Sequence, residues 1–107
     1  DMMVVSNFHI AIDADLALAK ELIHEILITS KYIYLRKPFS TLISEELING
    51  ITLINLKVKS YVIDVKYEKP FHSELSSKII ESFNKHKIKR PSLEFKYAIP
   101  DQATIKA

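Results

Sequence analysis

The chain has 107 residues, 48% hydrophobic and 26% charged, with a net charge of +2, one glycine and no cysteine. That length suits a single domain burying roughly 60 to 70% of its unfolded surface. Missing cysteines exclude disulfides, thiolate zinc sites and thiol catalysis. The small net charge does not point to nucleic acid, and no apolar run approaches the ~18 residues of a membrane-spanning helix. As it stands, the chain is expected to be soluble. Its start, Asp1-Met2-Met3, lacks the cationic and apolar regions of a signal peptide, and the leading Asp suggests a piece excised from a longer protein.

Met2 to Ile12 alternates Phe8, Ile10 and Ile12 against Asn7, His9 and Ala11, the pattern of a half-buried strand. Asp13 is placed to accept hydrogen bonds at a helix start, and Asp15 adds negative charge to the first turn. Leu16, Ala19, Ile23, Ile26 and Leu27 recur at helical spacing, so a first helix is expected from Ala14 to about Thr29. Tyr32 to Leu35 is a short β-prone run ended by Pro38.

Asn49-Gly50 holds the only glycine of the chain, between Leu42–Ile48 and Ile51–Val65. A two-residue type I′ turn requires φ > 0 at both central positions, so this pair predicts a β-hairpin. In the second arm Ile54, Leu56, Val58, Ser60 and Val62 share one phase and are assigned to the core. Asn55, Lys57, Lys59, Tyr61 and Ile63 share the wetter phase. Lys69-Pro70-Phe71 reads as a turn. A second helix from about Ser73 to Lys87 follows, with Leu75, Ile79, Ile80 and Phe83 as its apolar side. Ile88 to Pro91 is a short extended run. Leu93, Phe95 and Tyr97 then alternate with Ser92, Glu94 and Lys96, and Pro100 to Ala107 carries no period.

This order predicts an α+β fold of the ferredoxin-like βαββαβ type, an antiparallel four-stranded sheet with two helices on one face. Residues 1–91 would form that domain, and residues 92–107 a C-terminal strand and tail. Because the four strands are complete before Pro91, Leu93, Phe95 and Tyr97 are expected to meet another surface as an oligomerisation segment.

The run Val58 to Phe71, the amphipathic helix after it, and Lys87-Ile88-Lys89-Arg90-Pro91 resemble the C-terminal cytoplasmic α/β domain of small-conductance mechanosensitive ion channels. That family typically has Gly-Ile-x-x-Pro after its final helix, and lysine stands here in the glycine's place. Phe8 to Ile12 with Asp15-Leu16 is similar to the family's first strand and helix start, so the likeness covers about residues 4 to 97. The usual Pro-Phe-Pro is reduced to Pro91-Ser92-Leu93, and the family's pore helices and middle β domain have no counterpart in this chain. The resemblance implies a non-enzymatic assembly domain, part of the wall of a hollow cytoplasmic cage. It also implies homo-oligomerisation, as a heptamer, and residence on the cytoplasmic side of the cell inner membrane, with membrane attachment through upstream segments. Leu93 to Tyr97 would join a small barrel on the symmetry axis.

Other chemistry finds weaker support. His9, His24, His72 and His86 show no ligand spacing, so no metal and no cofactor are expected. Asp13 and Asp15 fit helix capping better than acid–base work. Ser73, Ser76 and Ser77 near His72 lack a nucleophile elbow, and one glycine is too few for a phosphate-cradling loop. Lysines cluster in the second half, but the central strand offers lysine rather than stacked aromatics, so no nucleic-acid partner is expected. The alternative reading is a regulatory or metal-sensing cytoplasmic domain of a cation transporter, with His72 and Glu74 as ligands.

Overall fold

The computed structural model describes residues 1–91, so Leu93, Phe95, Tyr97 and the strand expected around them lie outside the described residues. The elements in chain order are β1 (Met2–Ala11), α1 (Leu16–Ile28), β2 (Ser40–Ile48), β3 (Ile51–Val62) and α2 (Glu68–Lys85), with a 3₁₀ turn at Val65–Tyr67 before α2.

β2 and β3 form the expected hairpin. Ile48 opposes Ile51 across the turn, and Asn49 and Gly50 have φ of 51° and 77°, as a type I′ turn requires. β3 is the central strand: β1 runs antiparallel along one side of it and β2 along the other, in the order β1-β3-β2. On β3 the residues Leu56, Val58, Ser60 and Val62 are buried and Lys57, Lys59 and Tyr61 half-exposed, so the two-residue phase holds from Leu56 onward, whereas Asn55, assigned to the wetter phase, is buried. Their partners Phe8, Ser6, Val4 and Met2 on β1 share that face. Both helices pack against it, with Ala19, Leu22, Ile23 and Leu27 from α1 and Phe71, Leu75, Ile79 and Phe83 from α2 completing one core. Each such large apolar side chain contributes about 1.5 to 3 kcal/mol when fully buried.

The four-stranded ferredoxin-like arrangement does not hold; the fold is α+β with a three-stranded sheet. The fourth strand was expected at Ile88 to Pro91, and that segment is irregular. It makes a backbone hydrogen bond to β1, from Ala11 N–H to Lys89 C=O at 2.9 Å. A ladder needs further N–H groups in step, but Pro91 has none and its ring restricts Arg90. Tyr32 to Leu35 is likewise no strand. It contributes an isolated bridge, Ile33 with Val62, and a bond from Tyr34 N–H to Tyr61 C=O at 2.8 Å.

Helix boundaries also shift. α1 is capped by Asp15, whose side chain accepts from Leu18 N–H at 3.1 Å, and Asp13 is left outside. α2 begins before Pro70 rather than at Ser73. Proline is tolerated in the first turn because its missing N–H would have no intrahelical partner there. Phe71, Leu75, Ile79 and Phe83 then recur every four residues along the buried side, while Ile80 stays exposed. Ile12 falls beyond β1 and is exposed, whereas Ala11 is buried.

Leu56 is fully buried in the core cluster that also contains Ile23 and Ile79. Leu56→Ala is therefore expected to lower stability by about 2 to 5 kcal/mol, and Lys57→Ala to change it little. Urea denaturation of both variants checks this, and the reverse ranking would place β3 one residue out of register. Gly50→Val sets a β-branched residue at positive φ and is expected to cost at least ~1 kcal/mol. An unchanged denaturation midpoint would contradict the turn type.

Candidate interaction surface

β2 lies at the edge of the sheet, and among the described residues no backbone pairs with its outer side. Neither helix reaches over it far enough to cover its side chains. Ile43 and Leu47 lie in register with Leu56 and Thr52 on the helix side, yet they remain 39% and 71% exposed. Leu42 on the opposite face is also exposed. The signal in the sequence is mixed: Ser40 to Ile48 carries no lysine, arginine, proline or glycine to blunt an edge strand, but Glu45, between Ile43 and Leu47 on the helix side, and Glu46 do charge it. The hairpin was read from it, but which arm would be left uncovered was not.

The helix-free face of the sheet is mixed. Met3, Val5, Asn7 and His9 from β1 lie in register with Tyr61, Lys59, Lys57 and Asn55 from β3. Ser40, Leu42 and Ser44 of β2 stand opposite Lys59, Lys57 and Asn55. Glu46 reaches across β3 to His9, with Oε1 3.4 Å from Nε2. Asn55 and Leu53, in register with His9 and Glu46 respectively, are both buried on the side away from the helices. Asn55 donates to Asn7 Oδ1 at 3.2 Å, and Arg90 donates to the His9 carbonyl at 3.0 Å. Tyr61 carries the Lys37 ammonium 5.0 Å from its ring centre. One tyrosine already covered by lysine is not a platform for stacked bases.

The residues weighed for chemistry are dispersed. His72 and Glu74 do not converge: His72 Nδ1 is 2.9 Å from Ser6 Oγ on β1, whereas Glu74 accepts from Ser30 Oγ at 2.6 Å and pairs with Lys78 at 3.5 Å. These contacts pin α2 to β1 and to the end of α1. No group of three or more His, Cys, Asp or Glu side chains that could hold a metal ion occurs among the described residues. Ser6 is almost completely buried, out of reach of a substrate, so its contact with His72 is not a nucleophile–base pair. Ser73, Ser76 and Ser77 lie inside α2 rather than at its start. The His24 and Phe39 rings lie 5.3 Å apart, tilted by 52°, and His86 Nδ1 is 3.0 Å from the Ser82 carbonyl oxygen. Asp13 pairs with Lys89 at 2.9 Å, and that hydrogen bond holds its carboxyl below the usual value. A groove of about 330 Å³ is lined by Lys31, Tyr32, Ile33, Tyr34, Ile63 and Tyr67. Its Tyr32 and Tyr67 rings pack together at 5.9 Å, each with a lysine ammonium at 5.2 Å.

The segment after α2 has the most defined geometry. Lys87 adopts a left-handed conformation with φ of 57°. Ile88 N–H bonds to Phe83 C=O at 2.9 Å, and Lys87 N–H to Asn84 C=O at 3.3 Å. Together these make a Schellman motif, and Ile88 joins Phe83 in the core as the apolar contact that accompanies it. Lys87 occupies the position where glycine is usually found. Ile88, Lys89 and Arg90 then fold back along the end of β1 through the contacts to Ala11, Asp13 and His9.

No family model matches the chain, and comparison with curated proteins returns no match.

A lysine held at positive φ is strained relative to glycine by about 1 to 2 kcal/mol, partly offset by the greater freedom glycine gives the unfolded chain. Lys87→Gly is therefore expected to raise stability by on the order of 0.5 to 1 kcal/mol. A higher urea midpoint with an unchanged slope would show it, and a lower midpoint would mean that the lysine side chain contributes more than its backbone costs.

Proposed function

We propose that the chain is a cytoplasmic assembly domain of a mechanosensitive ion channel, a non-enzymatic module that helps build the cage beneath the pore. The observation that carries this reading is the turn at Lys87. The resemblance aligns Lys87-Ile88-Lys89-Arg90-Pro91 with a family pattern that begins with glycine, and the backbone at Lys87 has the left-handed conformation that favours glycine. The next residue, Ile88, is buried, which gives a packing reason for an apolar residue after that turn. Support also comes from the uncovered β2 edge and from the dispersal of the candidate catalytic and ligand residues, which suit an interaction module better than an enzyme or a metal sensor.

No described helix is long and apolar enough to cross a membrane, so conduction would rest with segments of a longer parent protein. In this reading the parent sits in the cell inner membrane with the domain on its cytoplasmic side. Copies assemble in a ring of seven, and Leu93, Phe95 and Tyr97 contribute to contacts at the symmetry axis.

Native mass spectrometry of the detergent-extracted parent protein tests the proposal. Seven copies per particle are expected, and Phe95→Lys is expected to lower the fraction of complete rings. A monomeric or dimeric parent, or a parent gene encoding no hydrophobic spans, would overturn it.

A further inference from the structure

Among the described residues β2 has a free edge, whose chemistry can be read residue by residue. In a hairpin with a two-residue turn, the pair flanking the turn exchanges both backbone hydrogen bonds, here Ile48 with Ile51. Counting back along β2, Ile48, Glu46, Ser44, Leu42 and Ser40 direct their backbone groups to β3. Thr41, Ile43, Glu45 and Leu47 direct theirs outward, and on the helix side the outward-directed Ile43 and Leu47 also expose apolar side chains. An edge of this kind is completed by another strand, whose backbone supplies the missing donors and acceptors.

We propose that the occupant is β2 of a second copy of the chain, running antiparallel about a two-fold axis through Ser44. The charges select this register. With the axis at Ser44, Thr41 pairs with Leu47 and Ile43 with Glu45 through their outward-directed backbones, and Leu42 stands opposite Glu46. Every residue from Ser40 to Ile48 finds a partner, and no glutamate directly faces a glutamate. An axis at Glu45 sets the two Glu45 carboxylates opposite one another, which is destabilising in a sheet. An axis at Ile43 sets Leu47 and Ile48 opposite Phe39 and Pro38, which precede β2, so that two residues of the strand lose a strand partner. The Ser44 register joins the two sheets into one continuous sheet in the order β1-β3-β2-β2-β3-β1. It also places Leu47 beside Thr41 of the second copy on the helix side, adding cover to the most exposed apolar side chain of the strand.

The contact goes beyond the channel reading. A two-fold contact pairs copies and cannot run from subunit to subunit around a ring of seven. It would join two such assemblies, or two copies of the chain on their own, and either proposal can fail without the other.

The absence of native cysteine makes the register directly testable. Ser44 would face its own copy in a non-hydrogen-bonded pair, with Cα atoms about 4.5 Å apart, within disulfide range. Leu42 would stand four residues from its own copy, roughly 13 Å along the strand. Under mild oxidation the full chain carrying Ser44→Cys is expected to form a covalent dimer at least tenfold faster than the chain carrying Leu42→Cys. Adding Ile43→Lys to Ser44→Cys is expected to slow dimer formation at least tenfold while the circular dichroism spectrum is retained. Equal rates for the two cysteine positions, no dimer from Ser44→Cys, or a rate unaffected by Ile43→Lys in a folded chain would each overturn the proposal.

Discussion

The structure depends on β3 being hydrogen-bonded along both sides. Its residues Leu56, Val58, Ser60 and Val62 set the face on which β1 adds Phe8 and Val4 and on which both helices close. Because side chains alternate along a strand, a slip of one residue would drive Lys57 and Lys59 under the helices and turn Leu56 and Val58 outward. The Asn49-Gly50 turn prevents that slip on the β2 side, since only the Ile48–Ile51 closure suits its two positive φ angles. Register, turn chemistry and helix packing therefore depend on one another.

The two sides of this sheet end differently. Beside β1 the chain returns after α2 and lays Lys89 and Arg90 along the strand end, where Lys89 reaches Asp13 and Arg90 reaches the His9 carbonyl. These side chains are exposed, so their ion pair and hydrogen bond orient the segment more than they stabilise it. Beside β2, Ile33 and Tyr34 meet the far end of β3, and the β2 edge itself has no described partner. β1 is an edge strand as well, and among the described residues only its end is met by this returning segment, whereas β2 has no such contact on its outer side.

The ends of α2 show how a tertiary core overrides local punctuation. Pro70 reads as a turn residue, yet the helix runs through it because a first-turn proline loses no intrahelical bond and because Phe71 has a buried place one turn before Leu75. At the other end Lys87 holds a conformation it disfavours. The burial of Ile88 against Phe83 and the two Schellman hydrogen bonds offset that strain. Lysine thus takes here the left-handed position that glycine usually fills in a Schellman motif.

What the sequence by itself determined is local and periodic. The Asn49-Gly50 turn, the two-residue phase of β3, the amphipathic stripe of α1 and the lower part of α2 could all be read from residue type and spacing, because each rests on interactions only a few residues apart. The expectation that Leu93, Phe95 and Tyr97 form an association segment falls on residues outside the described ones. Tertiary structure alone decided that Ile88 to Pro91 turns back as an irregular segment rather than adding a fourth strand. It alone separated His72 from Glu74 by giving them partners on different elements, and it left Ile43 and Leu47 uncovered. Those outcomes depend on which surfaces the helices reach once packed, a property of the assembled core that no window of neighbouring residues contains.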